Sequence, residues 1–134
     1  MVLATVTLHG GVLAILGRAL RLEATQEVRE HVPSLSLRGL VFTQLLVLAL
    51  FVLHGLEIWS YAFLYRALGA VSDLETAVYF STIAYAGIGF DDSYMSPSWR
   101  LVSAIEGVNG ILLLGWSTAF FVTVVTRLGG RFRL

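Results

Sequence analysis

The stretch from Ala77 to Asp92, reading AVYFSTIAYAGIGFDD, lies between two long apolar segments, too short to cross a membrane and too apolar to stay outside one. Ser72-Asp-Leu-Glu75 has the S-x-x-E form of a capping box, so a helix is predicted to begin at about Asp73. From there to Tyr85 is roughly 20 Å of helix, against a hydrocarbon layer of ~30 Å. Val78, Tyr79, Phe80 and Ile83 make that helix a poor candidate for water. A re-entrant helix, entering the bilayer and ending inside it, satisfies both facts. The residues that follow, Gly87 to Asp91, cannot be helical throughout. Non-helical backbone at membrane depth is tolerated only where protein buries it or water reaches it.

Composition agrees with a bilayer setting. Of 134 residues, 57% are hydrophobic and only 13% charged, and the apolar runs are long enough to span. Gly39 to about Gly69 is one span, carrying Trp59, Tyr61 and Tyr65 in its second half, and Leu101 to Leu128 is another. Met1 to Gly17 reaches roughly 25 Å as a helix and reads as an N-terminal anchor, with an interfacial helix as the alternative. Its first arginines, Arg18 and Arg21, follow the apolar run rather than precede it, unlike a signal peptide. Arg18 to Arg38 reads as a charged amphipathic helix on the membrane surface, broken at Pro33. Ser96 is positioned to cap the final helix, with Pro97 in its first turn. The chain therefore divides into an N-terminal helix and linker (1–38), a pore domain (39–128) and a short tail (129–134). Arg18, Arg21, Arg29 and Arg38 fall on one side with Arg127, Arg131 and Arg133, which predicts a multi-pass protein of the cell membrane with a cytoplasmic C-terminus. The fold class expected is an all-α membrane protein in contact with lipid.

Several chemistries are excluded. The nine basic residues are all arginines, scattered too thinly to grip nucleic acid, and net charge is zero. Without cysteine there are no thiolate sites or disulfides. No H-E-x-x-H, G-x-S-x-G or phosphate-binding loop is present, so no enzyme and no cofactor is expected. Ser117 reads as a helix-packing residue, and His9 and His31 as incidental. No helix carries arginine at every third position, which removes voltage sensing.

Two acids inside the spans need an account, because a carboxyl group in hydrocarbon must be protonated, paired or hydrogen-bonded. Both Glu57 and Glu106 fall near the depth of the short helix, and the prediction is that they brace it and its following loop from behind. His54 lies one helical turn before Glu57 and could pair with it, making conduction sensitive to pH. Asn109 and Thr118 are candidate polar groups of a central cavity, or partners of a neighbouring helix. Gly107, Gly110 and Gly115 read either as points of bending or as close helix contacts.

The order of span, capped short helix, Gly-x-Gly-aromatic, Asp, then Trp99-Arg-Leu101 and a glycine-interrupted span resembles the pore domain of bacterial potassium channels of the two-transmembrane type. The likeness covers about Val41 to Thr126. It includes His54, Glu57 and Trp59, the run Ala77 to Ser81, Glu106-Gly107, and Gly115 to Ala119. The resemblance implies a homotetramer around one ion path, with four short helices directing their negative ends near Tyr85 toward it. It further implies a filter of backbone carbonyls from Gly87, Ile88, Gly89 and Phe90 holding K⁺ or another monovalent cation as permeant ion. By the same comparison, Gly110 is a gating hinge. The family's filter reads Thr-Val-Gly-Tyr-Gly-Asp, and the corresponding residues here are Gly87, Ile88, Gly89, Phe90, Asp91 and Asp92. Gly87 removes a threonine hydroxyl at the inner end. Asp91 replaces a glycine that needs a left-handed backbone, at a penalty on the order of 1 kcal/mol. Asp91 and Asp92 from four copies would form an acidic outer mouth. A K⁺-preferring channel, a weakly selective one, and a non-conducting pore-like subunit that assembles with another protein all remain open at this stage.

Overall fold

The computed structural model describes residues 1–30, 37–89 and 95–129. Four helices account for nearly all of them: α1 (Val2–Glu30), α2 (Leu37–Ala67), α3 (Leu74–Tyr85) and α4 (Arg100–Gly129), with a 3-10 turn at Pro97–Trp99 leading into α4. Three of these are long and apolar enough to cross a membrane, over Val2–Leu20, Gly39–Ala67 and Pro97–Thr126. At 31 and 30 residues, α2 and α4 reach roughly 45 Å by their rise per residue, so both tilt or project beyond the hydrocarbon.

The N-terminal helix differs from expectation. In place of an apolar helix and a separate surface helix, α1 runs unbroken for 29 residues. No proline or turn residue intervenes between Gly17 and Leu22, and Arg, Ala and Leu are strong helix formers, so nothing stops the helix where the apolar run ends. The break expected at Pro33, and His31 beside it, lie outside the described residues.

The 12-residue α3 lies between the two long helices, packed chiefly on α2 and then on α4, while α1 rests mainly against α4. Its N-cap is Asp73, one residue after the Ser72 that the sequence pattern suggested: the Asp73 carboxylate accepts the backbone N–H of Thr76 at 2.8 Å, and Ser72 supports it by donating its hydroxyl at 3.1 Å. The Thr76 backbone bond, and secondarily the Thr76 side chain, hold the Asp73 carboxyl below the usual carboxylate range. Because its folded value is depressed, its contribution is complete above the unfolded value and fades only as pH falls through the folded one. The cap is therefore fully formed at neutral pH. Ser96 occupies the N-cap of the final segment as expected, but its hydroxyl meets Ser98 at 3.1 Å instead of capping the backbone.

The core lies where α3 meets α2: Tyr61, Ala62, Tyr65, Ala77, Phe80 and Ala84 are all at most 2% exposed, and Ala70, Val71 and Met95 close the cluster. A smaller cluster of Leu13, Leu50 and Leu53 joins α1 to α2, with Phe120 and Phe121 of α4 against it.

The approach of α4 to α3 depends on two glycines. A Cβ on Gly110 would lie 2.2 Å from the Tyr85 carbonyl oxygen, and one on Gly107 would lie 3.1 Å from the Ala84 carbonyl oxygen. Gly115 has nothing within 4 Å. Gly107 and Gly110 are thus both close helix contacts. Gly110→Ala should therefore force α4 away from the end of α3, at about 1–3 kcal/mol for overpacking, whereas Gly115→Ala should leave thermal unfolding in detergent unchanged or slightly raised.

Candidate functional site

The loop that follows α3 begins as a helix stop. Gly87 has φ 69°, its N–H bonds to the Ala84 carbonyl at 3.0 Å, and the Ile88 N–H reaches back to the Ile83 carbonyl at 3.0 Å. This pair of bonds around a left-handed residue is a Schellman motif, which glycine enters without the Cβ penalty. The same device ends α2, where Gly69 has φ 71° and Ala70 bonds back to Tyr65. Gly89 is also at positive φ, 111°, so the backbone from Gly87 to Gly89 reverses out of α3 without returning to helix. Ile88 is 75% exposed on the single chain. Phe90, Asp91 and Asp92 lie outside the described residues.

Behind α3 are two buried carboxylates. Glu106, fully buried on α4, accepts a hydrogen bond from Tyr65 of α2 at 2.5 Å and another from Ser81 of α3. Ser81 also faces the Ile58 carbonyl of α2 at 2.9 Å, so the group ties α2, α3 and α4 at mid-helix. Glu57, equally buried on α2, accepts the Tyr85 hydroxyl and pairs with His54 Nδ1 at 3.2 Å. Tyr85 is the last residue of α3, two positions before Gly87, and its hydroxyl also lies 2.9 Å from His54 Nδ1. Carboxylates, tyrosines and a serine that would be expensive in hydrocarbon thus satisfy one another.

A family model described as ion channel matches residues 40–127, covering α3 and nearly all of α2 and α4. The chain belongs to this ion-channel family. No curated protein and no solved structure matches it. In the channel, α1 lies outside the matched region, yet it contributes to the interior.

His9 of α1 corrects the expectation that it is incidental. It is completely buried, with Nδ1 2.9 Å from Glu57 Oε1 and its ring 5.3 Å from that of Trp116. Ser117 is likewise more than a packing residue, since its hydroxyl lies 3.0 Å from His54 Nε2 and 3.3 Å from His9 Nε2. Four residues earlier on α1, Thr5 accepts a hydrogen bond from Asn109 of α4 at 2.9 Å, and Asn109 also reaches Tyr61 at 3.5 Å. Asn109 therefore serves a helix contact, while Thr118 is exposed and bonds the Leu114 carbonyl of its own helix. One signal for these partners was present in the sequence: Thr5 and His9 stand at i, i+4 on an apolar helix, one polar stripe that requires company in a bilayer. Distance along the chain concealed which residues would supply it.

Glu106→Ala should take the acceptor from the Tyr65 hydroxyl, leave Ser81 with the Ile58 carbonyl alone and lower stability by about 1–3 kcal/mol, while Glu106→Gln, which retains an acceptor and adds a donor, should unfold much closer to wild type in a thermal melt of the detergent-solubilised channel.

Proposed function

We propose that this protein is the pore-forming subunit of a homotetrameric cation channel of potassium-channel type, and that backbone carbonyls from Gly87 through Phe90 line its ion path. The observation that carries this reading is the termination of α3: a capped helix enters between two membrane-spanning helices, stops at Gly87 and is followed by non-helical backbone. In a bilayer such backbone requires neighbouring protein or water, and four copies around an axis would provide both. The bare face of α4 supports the same assembly. Val108, Ile111, Leu112 and Val122 are 52–67% exposed on one chain and follow helical spacing along the segment that would face the axis or a neighbouring copy.

The helix dipole of α3 favours a cation beyond its C-terminal end, and Asp91 and Asp92 would add negative charge at the outer mouth. We assign K⁺ as the principal permeant ion, with weak discrimination against other monovalent cations, because Gly87 contributes no side-chain oxygen. The C-terminus is assigned to the cytoplasmic face of the cell membrane on its arginine bias.

A second reading, a non-conducting pore-like subunit, has one observation in its favour. Gly87 is engaged as a helix cap, so its left-handed backbone takes the place of an extended first filter residue. Flux measurements in liposomes separate the two. The channel reading expects K⁺ to move down its gradient, Na⁺ and Cs⁺ to follow at lower or comparable rates, Ba²⁺ to block and Cl⁻ to be excluded. No cation flux under any gradient would favour the non-conducting subunit. Gly87→Thr, which supplies the resembling family's threonine, should lower the unfolding temperature and not raise K⁺ preference: the site is left-handed, costing about 1–2 kcal/mol for a side chain, and its Cβ would meet Ile111 at 3.1 Å.

A further inference from the structure

The cluster around Glu57 holds more coordinating atoms than a brace requires. His9 from α1 and His54 from α2 both direct Nδ1 at the Glu57 carboxylate, at 2.9 Å and 3.2 Å. The coordinating atoms of these three residues all lie within 4.8 Å of one another. The Tyr85 hydroxyl of α3 stands 2.9 Å from His54 Nδ1 and bonds the same carboxylate. Two imidazole nitrogens and one or two oxygens, brought together from three helices, form a donor set suited to zinc-class ions and not to calcium or magnesium, which take oxygen alone. Zinc distances of 2.0–2.1 Å in a tetrahedron put neighbouring donor atoms about 3.3 Å apart, against 2.9 Å and 3.2 Å from the two Nδ1 atoms to the Glu57 carboxylate here.

The outer ring nitrogens are arranged compatibly with a cation at the Nδ1 side. A neutral imidazole carries one N–H. If both histidines place it on Nδ1, toward Glu57, both Nε2 atoms become acceptors, and both face the Ser117 hydroxyl, at 3.0 Å and 3.3 Å. That hydroxyl has one hydrogen and serves one of them, so without a metal both are met when His54 carries its N–H on Nε2, donating to Ser117, and its Nδ1 accepts from the Tyr85 hydroxyl. With a divalent ion at the Nδ1 atoms, both N–H groups move to Nε2, and the two lone pairs of Ser117 accept both. Ser117 then does what outer partners of metal-bound histidines do: it fixes which ring nitrogen coordinates and how the ring is turned.

We propose that His9, His54 and Glu57 bind one divalent transition-metal ion of the zinc class per chain, with the Tyr85 oxygen completing the shell and Ser117 orienting both rings. The ion would clamp α1 to α2 and to the last residue of α3, two positions before Gly87. This site does not depend on whether the protein conducts.

The test uses full-length protein in lipid nanodiscs, stripped with chelator and equilibrated with Zn²⁺ or Co²⁺. Bound metal is measured by elemental analysis after removal of free ion, and Co²⁺ coordination by visible absorption. The expected result is one ion per chain, the intense visible bands of four-coordinate Co²⁺, loss of retained metal in His9→Gln and His54→Gln, and no change in His31→Gln. Ser117→Ala should bind about 10–100-fold more weakly. Helical circular dichroism and gel filtration establish that each variant is folded. Should the ligand variants not fold, wild-type stoichiometry, the Co²⁺ spectrum and Ser117→Ala decide the matter. No retained metal in the folded wild type overturns the proposal. Retention unaffected by His9→Gln and His54→Gln, or by Ser117→Ala where those do not fold, overturns it equally.

Discussion

A helix that ends inside a bilayer cannot leave its last peptide groups to lipid, and most of this structure answers that constraint. The final turn of α3 uses Gly87 in a left-handed conformation so that two otherwise unpaired carbonyls, those of Ile83 and Ala84, receive hydrogen bonds. The carbonyl of Tyr85 is covered from the side by α4, which comes close enough only because Gly110 has no side chain. Replacing water by the protein's own groups also explains the buried acids. Glu106 holds the middle of α3 through Ser81, and Glu57 holds its end through Tyr85, so both the depth and the tilt of the short helix are set by polar contacts on its hidden side.

Within the span matched to the ion-channel family, this arrangement uses only α2, α3 and α4. The N-terminal helix changes it. His9 reaches Glu57 and Thr5 receives Asn109, so α1 is joined to the pore domain by polar contacts as well as by Leu13 and its apolar neighbours. Individual hydrogen bonds between membrane helices average only about 0.6 kcal/mol. Their effect here is chiefly on geometry: apolar packing alone would allow α1 to rotate or slide, whereas two polar anchors one turn apart determine its register.

Much of the architecture was legible because lipid leaves few alternatives. Apolar length identified α2 and α4, and a short capped apolar segment followed by Gly87-Ile-Gly89 identified α3 and its non-helical exit. The structure departs from the sequence pattern locally, at a helix cap and a helix boundary, and at long range. Asp73 displaced Ser72 as cap because its carboxylate is the stronger acceptor for the Thr76 N–H, with Ser72 turned to support it. Charge beginning at Arg18 suggests a boundary that α1 does not respect, because arginine and alanine propagate a helix readily.

The amino-acid sequence by itself determined that this is a membrane protein, where its long helices lie, and that Glu57 and Glu106 must find partners, since each follows from the free energy of placing a residue type in hydrocarbon. Only the tertiary structure decided who those partners are. His9 and Ser117 are 108 residues apart, as the bond between them records, and neither carries any local mark of the other. Side chains meet across helices according to tilt, rotation and close approach, which depend on all four helices together, and no spacing along one helix contains that information.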